Sequence, residues 1–162
     1  VLLESPALAT TKELIKVGVK ADKIYIPNHT DSYEAIIRNH PASIVFPLTL
    51  GKFFKLREIP KLGMVFADYC GTLDGDALTT PSEDIKDSFI RGLYANKALL
   101  GVTIAKRNPN KPNNLVNNDI SRLNSVVTQN AWANGYSAID LGEGRSYHNS
   151  SMYFVLYGIN KL

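Results

Sequence analysis

The sequence has one cysteine, three histidines and no long apolar run, and each shortage removes a class of protein. With Cys70 alone, neither an intramolecular disulfide nor a thiolate metal cluster can form, which suits a reducing, cytoplasmic interior. His29, His40 and His148 share no metal-ligand spacing, so no metal site is expected. No stretch approaches the about 20 apolar residues of a membrane-spanning helix, and no charged and apolar leader opens the chain, so no membrane partner is expected. A phosphate-cradling G-x-x-x-x-G-K-[ST] loop and a G-x-S-x-G nucleophile elbow are both missing. There is no initiator methionine, and the expectation is that the chain begins part-way into a longer product or has lost its start.

What is present is ordinary for a globular domain: 162 residues, 44% hydrophobic and 20% charged, enough for one domain over 1–162 with a real core. The net charge of +3 permits an anionic partner without demanding one.

Short apolar runs alternate with helical periodicity. Val1 to Glu4 reads as a strand ending on a carboxylate, followed by Ser5-Pro6-Ala7 and a helix over Leu8 to Val17 with Gly18 just past its end. Lys23 to Asn28 reads as a second strand, broken by Pro27-Asn28. Asp31 and Glu34 have capping-box spacing and open a helix that turns Tyr33, Ile36 and Ile37 inward and stops before Pro41. Ser43 to Phe46 is a third strand, and Leu50 to Leu56 a short amphipathic piece.

Met64 to Ala67 is a fourth buried strand, ending abruptly in Asp68-Tyr69-Cys70-Gly71. Thr80-Pro81-Ser82-Glu83 is a second capping signature, with proline at the first helical position, and Ile85, Phe89 and Leu93 form the stripe of its helix. Ala98 to Ala105 is a fifth strand. A basic loop, Lys106 to Pro112, leads to a helix from about Asn118 to Asn134, with Ile120, Leu123, Val127 and Ala131 on one face and Gly135 closing it. Tyr136 to Leu141 and Met152 to Ile159 are strands with no helix between them, so they should pair antiparallel, with Gly142 to Arg145 as turn material. Trp132, Tyr147, Tyr153, Phe154 and Tyr157 are expected to pack this last part of the chain.

This order predicts an α/β fold: a three-layer, doubly wound, mostly parallel sheet of about seven strands ending in an antiparallel hairpin. Chemistry in such a sheet gathers at the carboxyl ends of the strands, which puts Asp68 and Tyr69 at the mouth of a site.

The order of elements resembles the class I S-adenosylmethionine-dependent methyltransferases across nearly the whole chain. The resemblance implies S-adenosylmethionine as cofactor. It implies that Glu4, Ser5 and Pro6 stand where the family has an acidic residue and a glycine-rich turn, and that Asn28 and His29 stand where the family's ribose-binding acid lies. Asp68-Tyr69-Cys70-Gly71 is similar to a shortened form of the Asp-Pro-Pro-Tyr-like motif of base-modifying members. By that likeness Asp68 orients or deprotonates the acceptor and Tyr69 stacks against the acceptor or the cofactor. The acceptor implied is a base, a protein side chain or a small molecule, with Lys106, Arg107 and Lys111 as contacts for a nucleic-acid substrate. The terminal hairpin also offers a surface for a homo-oligomer.

Two other readings use the same residues. VFADYCGTLDG is similar to the first motif of haloacid-dehalogenase-like phosphatases, matching at Asp68, Gly71 and Thr72, but Cys70 replaces the second aspartate that such chemistry needs. The other is a domain of this fold that has lost catalysis and acts as a binding or structural partner. Asp74 and Asp76 are read as a solvated turn, Cys70 as a small buried residue and His148 as an exposed turn residue.

Overall fold

The computed structural model describes residues 1–3, 7–28, 30–39, 44–69, 71–74, 80–105, 114–142, 145–147 and 152–162. Helix α1 (Ala9–Lys16) leads through a 3₁₀ turn to strand β1 (Tyr25–Pro27), then α2 (Thr30–Asn39), β2 (Ile44–Phe46) and the short α3 (Leu50–Phe54). Strand β3 (Leu62–Asp68) is followed by α4 (Pro81–Ile90), β4 (Tyr94–Ala105) and α5 (Asn114–Ala133). Strands β5 (Tyr136–Asp140), β6 (Arg145–Tyr147) and β7 (Met152–Lys161) complete the order.

The α/β alternation holds, but the single sheet of about seven strands is corrected. The parallel pair β1-β2 is one sheet, and β3-β4-β7-β5, with β6 also on β7, is another. Val1–Leu3 runs between them. It makes one parallel bridge, Leu2 to Phe66, and among the described residues four main-chain hydrogen bonds: the Val1 amino group to Met64 O, Leu3 N–H to Phe66 O, Phe66 N–H to Val1 O, and Leu2 N–H to Tyr25 O. Strands β3 and β4 are parallel, while β7 lies antiparallel between β4 and β5. The expected antiparallel pairing at the end of the chain is therefore present, with β6 added from Arg145, the last residue of the expected turn.

Alternation along the strands sorts their side chains into two cores. Val65, Ala67, Leu100, Val102, Val155 and Tyr157 face α3, α4 and α5, where Phe53, Ile85, Phe89, Leu123, Val127 and Ala131 close over them. Leu2 and Ile26, with Val45 and Phe66, face the other way, toward Leu8, Leu14 and Ile15 around α1 and Ile36 of α2. Helices thus lie on both faces.

Glycine ends two helices as expected: Gly18 and Gly135 have φ of 95° and 77°, a region in which a β-carbon is strained. Other expectations fail for local reasons. Thr80 makes no side-chain cap, and the first turn of α4 rests instead on Pro81 at N1 and the acidic Glu83 and Asp84. Helix α2 begins at Thr30, so Asp31 lies inside its first turn rather than at the N-cap. Ile37, 36% exposed, and Val17, 78% exposed, sit at the margins of their apolar stripes. Trp132 is 73% exposed, because Leu123, Val127 and Ala131 define the buried face of α5 and Trp132 lies one residue beyond it. Tyr153 and Tyr157 are buried as expected. Cys70, Asp76 and His148 lie outside the described residues.

Gly101 of β4 is fixed by packing. A β-carbon there would lie 2.9 Å from Phe66 Cδ2 and 3.1 Å from Phe154 Cε2, inside the pair of rings that closes over it. Gly101→Ala is therefore expected to cost about 1–3 kcal/mol by overpacking, measured as a lower urea midpoint. An unchanged midpoint would show that the two rings swing aside freely.

Candidate functional site at the carboxyl ends of the strands

The parallel strands point their carboxyl ends to one edge. Asn28 comes after β1 there, Asp68 ends β3, and Leu3 lies between them. Because β1 lies on one side of Val1–Leu3 and β3 on the other, this is where the strand order reverses, the place where open α/β sheets hold ligands. Two strand spacings separate Asn28 from Asp68, roughly 10 Å. Asn28 is half-buried, and its N–H donates to Phe46 O at 2.9 Å, which ties the ends of β1 and β2 together. Its side chain carries both a donor and an acceptor, a set suited to vicinal hydroxyls.

Asp68 is exposed. The backbone just beyond it is held firmly. Tyr69 N–H donates to Thr103 O at 3.1 Å and Ala105 N–H to Gly71 O at 2.9 Å, so the chain continues along β4 past the end of the strand. Leu73 is buried and its carbonyl accepts from Ser82 N–H at 3.2 Å. Asp74, expected as a solvated turn residue, accepts from Arg122 of α5 at 2.6 Å, a half-exposed pair of modest strength. The exposed carboxylate of Asp68 therefore stands on a stiff base.

Tyr69 does not share the outlook of Asp68. Neighbouring strand residues point to opposite faces, and Tyr69 joins Val65 and Ala67 in the core, where it is 3% exposed. Its hydroxyl donates to Asp84 Oδ2 in the first turn of α4 at 2.9 Å. Burial, and then the nearby Asp84 charge, push the phenol well above its ordinary range, so it stays a protonated donor. The Asp84 carboxyl is itself raised above 3.8, chiefly by burial and against the stabilising bond from Tyr69. A β-carbon on Gly51 of α3 would lie 2.0 Å from Asp84 Oδ1, so glycine is required for the close approach. Stacking on an acceptor needs an exposed ring, and this one instead ties β3, α4 and α3 together. Neither Asp84 nor Gly51 was expected from the sequence. An acid in the first turn of α4 was visible, but its tyrosine partner 15 positions earlier was not.

Glu4, Ser5, Pro6, His29, Lys106, Arg107 and Lys111 lie outside the described residues. Among the described residues, no three His, Cys, Asp or Glu gather to hold a metal ion, and no helix is long and apolar enough to cross a membrane. A cavity of about 360 Å³ lies at the opposite, amino-terminal edge, between Val1, Ile24, Tyr25 and Leu62, away from Asp68.

No family model matches the chain, and no curated protein matches it by sequence. Solved structures do match its shape. HI0767 from Haemophilus influenzae, assigned as a methylase, superposes with a TM-score of 0.62 at 11% identity, over 99% of this chain and 86% of that one. A protein from Clostridium thermocellum assigned as an rRNA methylase gives 0.61 at 10% identity, over 99% and 88%. TYW2 of M. jannaschii, in complex with AdoMet, gives 0.54 at 13% identity, over 86% of this chain and 59% of that one. The chain has the class I methyltransferase fold.

In that fold Asp68 ends the strand beside the switch point, and the partly buried Tyr69–Asp84 bond holds it there. Asp84→Ala leaves the Tyr69 hydroxyl buried without its acceptor and is expected to cost about 1–3 kcal/mol, whereas Asp84→Asn keeps an acceptor and costs less. The pH dependence has a definite sign. Between 3.8 and its raised value the folded carboxyl keeps a proton that the unfolded one has lost, so its contribution to stability falls as pH climbs through that window. Urea midpoints between about pH 3 and pH 7 should show this decline in the wild type and less of it in Asp84→Asn. Parallel pH curves for the two proteins would show that Asp84 does not titrate differently on folding.

Proposed function

We propose that the chain binds S-adenosylmethionine at the carboxyl ends of Val1–Leu3, β1 and β3 and transfers its methyl group to an acceptor held beside Asp68. The observation that carries this is an exposed carboxylate on a braced strand end, next to the switch point of a class I methyltransferase fold. The residues present suit such a cofactor: Asn28 offers amide hydrogen bonds for ribose hydroxyls, at the strand edge it shares with Asp68. Glu4, Ser5, Pro6 and His29 complete the holding set in this proposal. When bound, the cofactor supplies an electrophilic methyl group on a sulfonium.

The chain's own part is positioning. Asp68 accepts a hydrogen bond from the acceptor's N–H or O–H, aims its lone pair along the line of displacement and takes up the proton that the acceptor loses. Tyr69 and Asp84 act at one remove, by fixing the strand that presents Asp68. A nucleic-acid acceptor suits the basic Lys106, Arg107 and Lys111, which would neutralise phosphates.

Calorimetric titration with S-adenosylmethionine and S-adenosylhomocysteine tests the first half of the proposal, and absence of heat at about 1 mM ligand rejects it in favour of a non-catalytic binding protein. Asn28→Ala should weaken binding by about 0.5–1.5 kcal/mol. Asp68→Ala should abolish methyl transfer to RNA or DNA while leaving cofactor affinity within about twofold. Loss of affinity instead would assign Asp68 to holding the cofactor.

A further inference from the structure

Beside Asp68, at the carboxyl edge of the larger sheet, lies a buried hydroxyl with no structural use. The register sets Asp68, Thr103 and Phe154 in one row across β3, β4 and β7, on the face turned away from Ala67, Val102 and Val155 and so from α3, α4 and α5. One step back toward the amino edge, the rings of Phe66 and Phe154 meet at 5.8 Å over Gly101 and close that face. Thr103 is the first residue of β4 on this face beyond the ring pair, one strand spacing of about 4.8 Å from Asp68.

Thr103 is 3% exposed, yet its hydroxyl makes no hydrogen bond to any described residue. Its carbonyl accepts from Tyr69 N–H, which fixes the backbone and leaves the side chain alone. A buried hydroxyl without a partner costs stability, and valine would fill the same shape in a strand without that cost. The unmade bond therefore points to a ligand. The two polar groups at this edge differ in kind: the Asp68 carboxylate accepts hydrogen bonds, whereas the Thr103 hydroxyl can donate one.

We infer that Thr103 is the second contact for the acceptor, its hydroxyl donating to a ring nitrogen or carbonyl oxygen next to the N–H that bonds to Asp68. A donor beside an acceptor on one flat edge is what nucleobases present, and what lone amines and alcohols do not. The rings of Phe66 and Phe154 bound the position on its amino-edge side with an apolar wall. Thr103 thus acts in specificity, selecting a base edge over a lone amine, while proton uptake stays with Asp68. A site that must recognise such an edge leaves its own polar group unpaired until the ligand arrives, at some expense of stability. This role rests on the acceptor site proposed above.

The test is calorimetric titration of the chain, saturated with S-adenosylhomocysteine, against a short single-stranded RNA of mixed sequence. Thr103→Val should weaken RNA binding about three- to tenfold, with affinity for S-adenosylhomocysteine within about twofold of the wild type. Thr103→Ser keeps the hydroxyl and should bring RNA affinity back to within about twofold. Heparin, a polyanion without bases, should bind the wild type and Thr103→Val equally. Without ligand, Thr103→Val should have a urea midpoint equal to or above that of the wild type. A lower midpoint would show that the hydroxyl is bonded within the fold and overturns the role. So does RNA affinity that is absent in the wild type, unmoved by Thr103→Val, or lost together with heparin affinity. A wild type that gives no heat with S-adenosylhomocysteine rejects the methyltransferase reading itself, and this role with it.

Discussion

Four main-chain hydrogen bonds hold this architecture in register. The Val1 amino group to Met64 O, Leu3 N–H to Phe66 O, Phe66 N–H to Val1 O and Leu2 N–H to Tyr25 O are the described main-chain bonds through which the two-stranded sheet meets the larger one. Side chains reinforce them, because Leu2 is buried among Ile24, Ile26 and Ile36 on one face while Val1 joins the larger core on the other. Each bond contributes only about 1 kcal/mol, and burial on both faces supplies the rest. The consequence is positional. Asn28 follows a strand of one sheet and Asp68 ends a strand of the other, and Val1–Leu3 between them sets their separation.

The second constraint is the buried contact below Asp68. Tyr69, Asp84 and the bare α-carbon of Gly51 bring the end of β3, the first turn of α4 and the start of α3 to one point. The Asp84 carboxylate, partly buried and bonded to the Tyr69 phenol, is poorly solvated, and replacing either partner strands the other. The same point explains how an exposed carboxylate can be fixed through its main chain: its backbone is immobilised by the residue after it.

The sequence order made the architecture legible. Helical and strand periods alternate from Val1 to Gly135, and glycines at 18 and 135 mark helix ends that take positive φ. The position of Asp68 at a strand end was legible from the abrupt close of Met64-Val65-Phe66-Ala67. What escaped depends on contacts distant in sequence. Nothing local told that Val1–Leu3 would make a bridge and not a full strand, or that Trp132 would face outward from α5. Tyr69 is different, because the signal was present: period two along β3 forbids Asp68 and Tyr69 from facing the same site. The tyrosine had to join Val65 and Ala67.

Strand β7 lies between β4 and β5, although it comes after both in the chain. Along β4, Lys97 finds its neighbour in Asn160 and Ala105 in Met152, so these pairings close long loops. Loop closure of that kind is slow, and until it occurs β4 has a bare edge of a dozen residues rich in Leu, Val and Ile. During synthesis that edge emerges well before the strand that covers it. The vulnerable species for this protein is therefore the nascent chain with β4 made and β7 still unpaired, a time window in which strand-to-strand misassociation competes with folding.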